Sequence, residues 1–311
     1  MTKTILGIHI GEHRIICTEA KTTGKIIVEK VAVASLPRDT VADGIILNSD
    51  AVMYSLSEII TRMEISTTNA VLNIPANLVH IKSIPTEADY IAISEDQLSW
   101  EMSHHINEPL TNYQLSHFVF PITTLIVATR KQAIVSRAQI LERVGLFVEA
   151  AYPEQIALFN FLSAAVGHRA KQNIAFMNIE VPFSQVLLFT QGEFGYCSNL
   201  FTPPELFGIG TGKKTWREFG DDLCAIMSIA IETQRLVVPA FAPDILITAG
   251  RPIKADIVSS IAQKIGAQTK DFNKFSKEKI KIRPHRFGVS KEELSIVLGL
   301  TAHALKSAKE K

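Results

Sequence analysis

The chain of 311 residues is 47% hydrophobic and 20% charged, with 32 lysines and arginines against 31 acids and a formal charge of +1. This is the balance of an ordinary globular protein about two domains long, and it excludes a global field that would draw the chain onto nucleic acid or an anionic membrane. Cys17, Cys197 and Cys224 lie far apart in apolar company without C-x-x-C spacing, which excludes a disulfide frame or a zinc site and reads as reduced core thiols.

Taken in chain order, residues 5–10, 14–20 and 25–34 predict three short strands in a meander, broken at Gly-Glu-His and Thr-Thr-Gly-Lys, where hairpins turn. A loop follows, and then an amphipathic helix starting near Ser49 and Asp50, with Val52, Leu56, Ile59 and Ile60 on one face. "NAVLNIPANLVHIKSIP" returns to strands. Ser94 opens a second helix in a capping-box pattern with Gln97. "LSHFVFPI" and "LIVATR" read as paired strands, and "KQAIVSRAQILERVGL" as a helix ending at Gly145.

After the midpoint the opening pattern returns. "NIAFMNIEVPFSQVLLFTQGEF" is again strand, turn, strand, followed by a long helix from Thr215 to Val238. The buried strand "DILITAG", the helix "ADIVSSIAQKIG" and a closing "SIVLGLTAHALKSA" complete the chain. Two halves that each open with a β-meander and pass into helices predict an internally duplicated α/β architecture, with a boundary near residues 166–173. No apolar run approaches the ~18 residues of a membrane span, and "MTKTILGIHIG" enters a strand without a signal-peptide segment.

Two strand-turn-strand units and an apolar strand ending in a small-Gly pair occur in the order used by the actin-like ATPase superfamily. More narrowly, the chain resembles the PilM family of type IV pilus assembly proteins. The stretches that carry this are "LGIHIGEHRIICTEA", "LPRDTVADGIILNSDAVMYSL", "AVLNIPANLVHIKSIP", "VATRKQAIVSRAQILERVGLFVEAAYPEQIALFNFL", "IAIETQRLVV", "ILITAGRPI" and "IVLGLTAHAL", all collinear. The resemblance implies an actin-like (duplicated ribonuclease H-like) two-domain fold with a small inserted α/β subdomain. Residues 1–78 and 153–168 would form the first domain, 79–152 the insertion and 169–311 the second domain.

In the family, the first hairpin carries Asp-Ile-Gly, whose carboxylate helps to place hydrated Mg²⁺; here stand His9, Ile10 and Gly11. Mg²⁺ takes oxygen ligands, so an imidazole is a poor replacement. The second hairpin has Asn178, Ile179 and Glu180 in place of Asp-Ile-Gly, with Pro182 close by. Glu180 places a side chain where glycine would let phosphate approach the backbone, and Pro182 lacks an amide donor. The adenosine stretch departs less, with Ala249-Gly250 where the family has Gly-Gly, and Glu232 and Arg235 match a family Glu-x-x-Arg near the base and ribose. Without the resemblance that last pair reads as a helix i, i+3 ion pair worth tenths of a kcal/mol. The resemblance therefore implies a degenerate nucleotide site at His9, Gly11, Glu12, Asn178, Glu180, Glu232, Arg235, Ala249 and Gly250, with no catalytic or metal-ligating residue assigned. Binding of ATP and Mg²⁺ without turnover stays open.

Other features carry less. "GIGTGKKT" fails the P-loop spacing, with Phe207 at the first glycine position. His104 and His105 are adjacent on a helix and cannot share a face as a metal pair would. The basic run at residues 274–286 reads as a solvated loop, and "ALKSAKEK" as a helix end too short and polar for an amphipathic anchor. By resemblance, the function is that of a cytoplasmic scaffold of a type IV pilus or type II secretion platform. It would be peripheral at the inner membrane and bind the short N-terminal cytoplasmic tail of a PilN-like membrane protein, with self-association open and no nucleic-acid partner. The alternatives are an active actin-like ATPase in which Glu12 or Glu180 replaces the missing aspartates, or a division protein similar to FtsA.

Overall fold

A computed structural model describes residues 3–22, 25–86, 94–121, 123–166, 172–209, 211–272, 280–283 and 288–307. The opening meander is β1 (Thr4–Ile10), β2 (Arg14–Thr22) and β3 (Ile26–Ser35), each within two residues of the sequence expectation. Residues 36–48, read as loop, contain a small hairpin, β4 (Val41–Ala42) and β5 (Ile45–Ile46), with Asp43 and Gly44 both at positive φ. Asp-Gly is the pair that favours this turn. Helix α1 (Ser49–Met63) starts where Asn48 accepts the amide of Ala51, and buries Val52, Leu56 and Ile59. Then come β6 (Asn69–Ile74), β7 (Val79–Pro85), α2 (Glu95–Ser103), β8 (Tyr113–Val119) and β9 (Thr123–Arg130). The Ser94–Gln97 capping box that opens α2 is present. Next are α3 (Lys131–Arg143), β10 (Phe147–Pro153) and α4 (Glu154–Val166).

The second half consists of β11 (Ile174–Ile179), β12 (Phe183–Thr190), β13 (Glu193–Phe201), α5 (Trp216–Val237), β14 (Ile245–Gly250), α6 (Ala255–Ile265), β15 (Gln268–Lys270), β16 (Ile280–Ile282) and α7 (Ser295–Ser307). Thr215 and Glu218 form the capping box of α5, so the glycine stretch before it ends as a helix cap. The two main sheets have the orders β10-β6-β1-β2-β3-β16 and β13-β12-β11-β14-β15, and a third runs β7-β9-β8. The duplication is visible in the pairing: β1 is antiparallel to β2 and parallel to β6, as β11 is antiparallel to β12 and parallel to β14.

Two strands pair outside the groups in which the sequence reading put them. Strand β10 pairs in parallel with β6 in the first sheet, and α3 is the crossover such a parallel pair requires. The β7-β9-β8 sheet, beside a separate apolar core (Leu98, Met102, Ile106, Tyr113, Ile126, Ala128), therefore ends at Arg130, and residues 147–153, expected in the insertion, pair into the first sheet. Strand β16 pairs with β3 of the first sheet, so residues 169–311 do not all stay with the second sheet. The expected boundary at 166–173, the basic run at 274–286 and the chain end fall largely outside the described residues.

The two central helices also cross over. Phe159 of α4, a helix that follows the first sheet, stacks on Phe189 and meets Phe194 edge-on in the second sheet. Helix α7, which follows the second sheet, lies on β1. A Cβ at Gly7 would come within 2.8 Å of Thr301 and of the Val297 carbonyl. Where α4 and α7 meet, a Cβ at Gly299 would lie 1.8 Å from the Ala157 carbonyl oxygen. This contact brings the halves together and points the first residues of both helices at the cleft between the hairpins.

Candidate functional site

Strands β1 and β6 are parallel neighbours, and their next-to-last residues, His9 and Asn73, both reach the start of α4. Glu154, the first residue of α4, is buried and accepts four hydrogen bonds. The donors are His9 Nε2 at 3.1 Å, Asn73 Nδ2 at 2.8 Å, the Ala76 amide at 3.1 Å and, from the other half, Gln185 Nε2 at 3.1 Å. A carboxylate only accepts, so Nε2 of His9 carries the proton. The fully buried guanidinium of Arg137 donates to the Gly44 carbonyl at 2.7 Å. Burial pushes Arg137 down to about 10, and the Glu154 carboxylate opposes that loss of charge. The imidazole where a magnesium-directing carboxylate would stand is thus part of a buried polar knot tying both hairpins to α4.

The second hairpin is closed in a similar way. Asn178 donates to Gln185 Oε1 at 2.7 Å and accepts from Ser295 Oγ, at the first position of α7, at 2.9 Å. Glu180 accepts from Arg14 Nη2 at 3.0 Å, from Arg251 Nε at 2.9 Å and from the Val181 amide at 3.2 Å. Arg14 belongs to the first hairpin and also donates to Glu293, which precedes α7. Burial alone would raise the Glu180 carboxyl, but Arg14 and Arg251, with His9 beyond them, hold it below the ordinary carboxylate range. Burial and then Arg251 push the neighbouring His13 down, toward the neutral imidazole.

Because Glu180 is depressed in the folded state, its contribution is fully present above the unfolded value of 4.5 and is lost as pH falls through the lower folded value. Melting temperature is therefore expected to fall for the wild type between about pH 5 and pH 3, and to fall less for Glu180→Gln. Parallel acid limbs in the two proteins would contradict this.

Between the hairpins remains a cavity of about 30 Å³, lined among others by His9, Gly11, Glu12, Glu154, Glu180 and Phe183. It has room for a few water molecules, whereas small-molecule sites are on the order of 300–1,000 Å³. Glu12, on its wall, accepts the Asp43 amide of the β4–β5 turn. The other sequence-chosen residues do not converge here. Ala249 and Gly250 border a separate crevice of about 570 Å³ with Arg251, Lys270 and Ser290. Gly250 has a packing reason to be glycine: its φ is +81° and a Cβ would sit 2.1 Å from the Ile179 carbonyl oxygen. Glu232 and Arg235 form an exposed i, i+3 ion pair at 2.6 Å. They lie at the end of the sheet marked by Gln234–Thr190 and Arg235–Phe241 contacts, away from Phe183 and the cavity.

Sequence reading missed Glu154, Asn73, Gln185, Arg14 and Arg251. The available signal was the placement of charged residues directly after each tight turn or strand end, at Arg14, Glu154 and Arg251. His104 bonds the Trp100 carbonyl while His105 meets His80 edge-on, so the two histidines point apart as expected. Among the described residues, no group of three His, Cys, Asp or Glu side chains is placed to hold a metal ion, and no helix is long and apolar enough to cross a membrane.

Residues 7–197 match the family model described as type IV pilus assembly protein PilM. The fold is similar to a solved PilM–PilN type IV pilus biogenesis complex, with a TM-score of 0.78 and 15% identity over 97% of this chain and 98% of that one. It is also similar to a Bacteroides thetaiotaomicron protein of unknown function with an actin-like ATPase fold (TM-score 0.57, 10% identity, 96% and 95% covered). A third similar structure is the cytoplasmic domain of EpsL, an inner-membrane component of the Vibrio cholerae type II secretion system (TM-score 0.55, 10% identity, 98% and 95% covered). The duplicated sheets, the crossed central helices and the match over more than half the sequence lead to one assignment: the chain belongs to the type IV pilus assembly protein PilM family and has the actin-like ATPase fold.

Proposed function

We propose that this protein is a cytoplasmic scaffold of a type IV pilus assembly platform, held at the inner membrane by binding the N-terminal cytoplasmic tail of a PilN-like membrane protein. The observation that carries the reading is the family match over residues 7–197, which takes in most of the first sheet, the expected insertion and the opening strands of the second sheet, the tail being expected between the first two. A solved relative of this fold is a PilM–PilN complex, which supports a partner of that kind. The nucleotide cleft is read as degenerate. His9 is engaged by Glu154, Glu180 by two arginines, and the space between the hairpins is far below that of a triphosphate. These residues do not fit a magnesium-bound triphosphate, and no catalytic step is assigned to them.

An extended peptide binds through main-chain hydrogen bonds, with pockets for its side chains. Beside the junction of first sheet and insertion, the β4–β5 hairpin exposes half of Ile45 and 62% of Leu47 against water. α3 packs against β5, and Arg137 of α3 holds the Gly44 carbonyl between these residues and β4. Apolar side chains so placed are suited to a tail with aliphatic residues.

Titration of the full chain with a synthetic tail peptide from the PilN-like protein of the same organism tests the reading. Saturable binding at tens of micromolar or tighter is expected, and its absence at those concentrations would remove the scaffold reading. Leu47→Asp is expected to weaken the peptide by about tenfold or more while the melting temperature stays put. Unchanged affinity would move the tail away from the β4–β5 hairpin.

A further inference from the structure

The carboxylate of Glu180 sits in a set of donors that is arranged like an anion-binding site. Arg14 Nη2, Arg251 Nε and the Val181 amide converge on it within 3.2 Å. Both guanidiniums are fixed from behind. Arg14 also bonds Glu293, and Arg251 lies 5.4 Å over the Phe207 ring while its amide donates to the Ile179 carbonyl at 2.7 Å. The three side chains are 11–14% exposed, so their charges interact with little screening. His13 Nε2 and Arg14 Nε lie buried beside them without a hydrogen-bond partner. Planar guanidiniums and a main-chain amide are the donors proteins use for phosphate oxygens. Arg14 comes from the first hairpin, Glu180 and Arg251 from the second half.

We propose that Glu180 is an internal ligand: its carboxylate occupies a site for a phosphate-class oxyanion formed by Arg14, Arg251 and the Val181 amide, and thereby clasps the two halves shut. This deepens the reading of the cleft as closed to nucleotide and rests on it. With Glu180 present, the guanidiniums are neutralised and the space is filled. Removing the side chain leaves two buried cations facing the cavity, with Glu293 as the remaining carboxylate on Arg14. A small oxyanion then restores both the charge balance and the clasp.

The test is a thermal melt of full-length wild type, Glu180→Ala and Glu180→Ala/Arg251→Ala in chloride and in inorganic phosphate at matched ionic strength. Wild type is expected to melt alike in both salts. Glu180→Ala is expected to melt lower in chloride and to recover saturably with phosphate, and the double variant to lose that recovery. A Glu180→Ala protein that melts like the wild type in chloride, or gains no more from phosphate than the wild type does, would overturn the proposal. Should Glu180→Ala fail to fold, Glu180→Gln keeps the volume. It is expected to melt several degrees lower at neutral pH and to ignore phosphate, and wild-type melting by that variant would overturn the clasp. Failure here with a nucleotide-free wild type refutes the internal ligand alone, whereas nucleotide binding by the wild type refutes the closed-cleft reading beneath it.

Discussion

Replacing Glu154 by alanine is expected to lower folding stability by about 3–5 kcal/mol, the loss typical of removing one partner from a buried ionic network. Four donors lose their acceptor at once: the His9 ring, the Asn73 and Gln185 amides and the Ala76 main-chain N–H. The buried Arg137 also loses the nearby carboxylate that favours its charge. Each orphaned buried group carries its own desolvation cost, so the effects of further substitutions in this network will not add. Urea denaturation of Glu154→Ala and His9→Ala, singly and together, measures this. A double variant no less stable than Glu154→Ala alone is the expected result, and full additivity would show that the two residues act independently.

Gly299→Ala is expected to reach or exceed the ~3 kcal/mol upper end of ordinary overpacking losses. The new Cβ would lie 1.8 Å from the Ala157 carbonyl oxygen, and a Cβ has no rotamer by which to escape. Relief requires α4 and α7 to move apart, and these helices hold the two sheets against one another. The chain's two tryptophans report on different parts: Trp100 on α2 in the insertion and Trp216 at the start of α5 in the second half. Variants retaining one tryptophan each should show Gly299→Ala lowering the transition seen by Trp216. An unchanged midpoint would mean that the helix contact is not what joins the halves.

The duplicated meanders were legible because strand runs and hairpin residues are local signals; β1, β2 and β3 appear within two residues of expectation. Caps were legible for the same reason, as at Ser94 and Thr215, where the side chain and the amide it serves are three residues apart. What sequence periodicity does not carry is the partner of a short strand. Nothing in Ile280–Ile282 says that it will pair with β3, some 250 residues earlier, and β10 looks equally at home in the insertion or beside β6. Such choices are made by long-range packing.

The candidate site shows the same division. The family resemblance implied a carboxylate and a glycine where His9 and Glu180 stand. What occupies the space instead was not readable, because Glu154 lies 145 residues from His9 and Glu180 lies 166 residues from Arg14. Glu232 and Arg235 show the converse. They satisfy a spacing, but the helix carries them to the far end of the sheet, where they pair with each other.

A calorimetric titration of the wild-type protein with ATP and ADP, with and without Mg²⁺, tests the closed cleft most directly. Ligand at 100 times its dissociation constant would add about 2.7 kcal/mol to the folded state, so a parallel melt provides an independent reading. The account predicts no saturable heat and no change in melting temperature at millimolar nucleotide. A saturable, Mg²⁺-dependent isotherm would contradict it, because His9, Glu180 and their partners would then have to release one another to admit the phosphates.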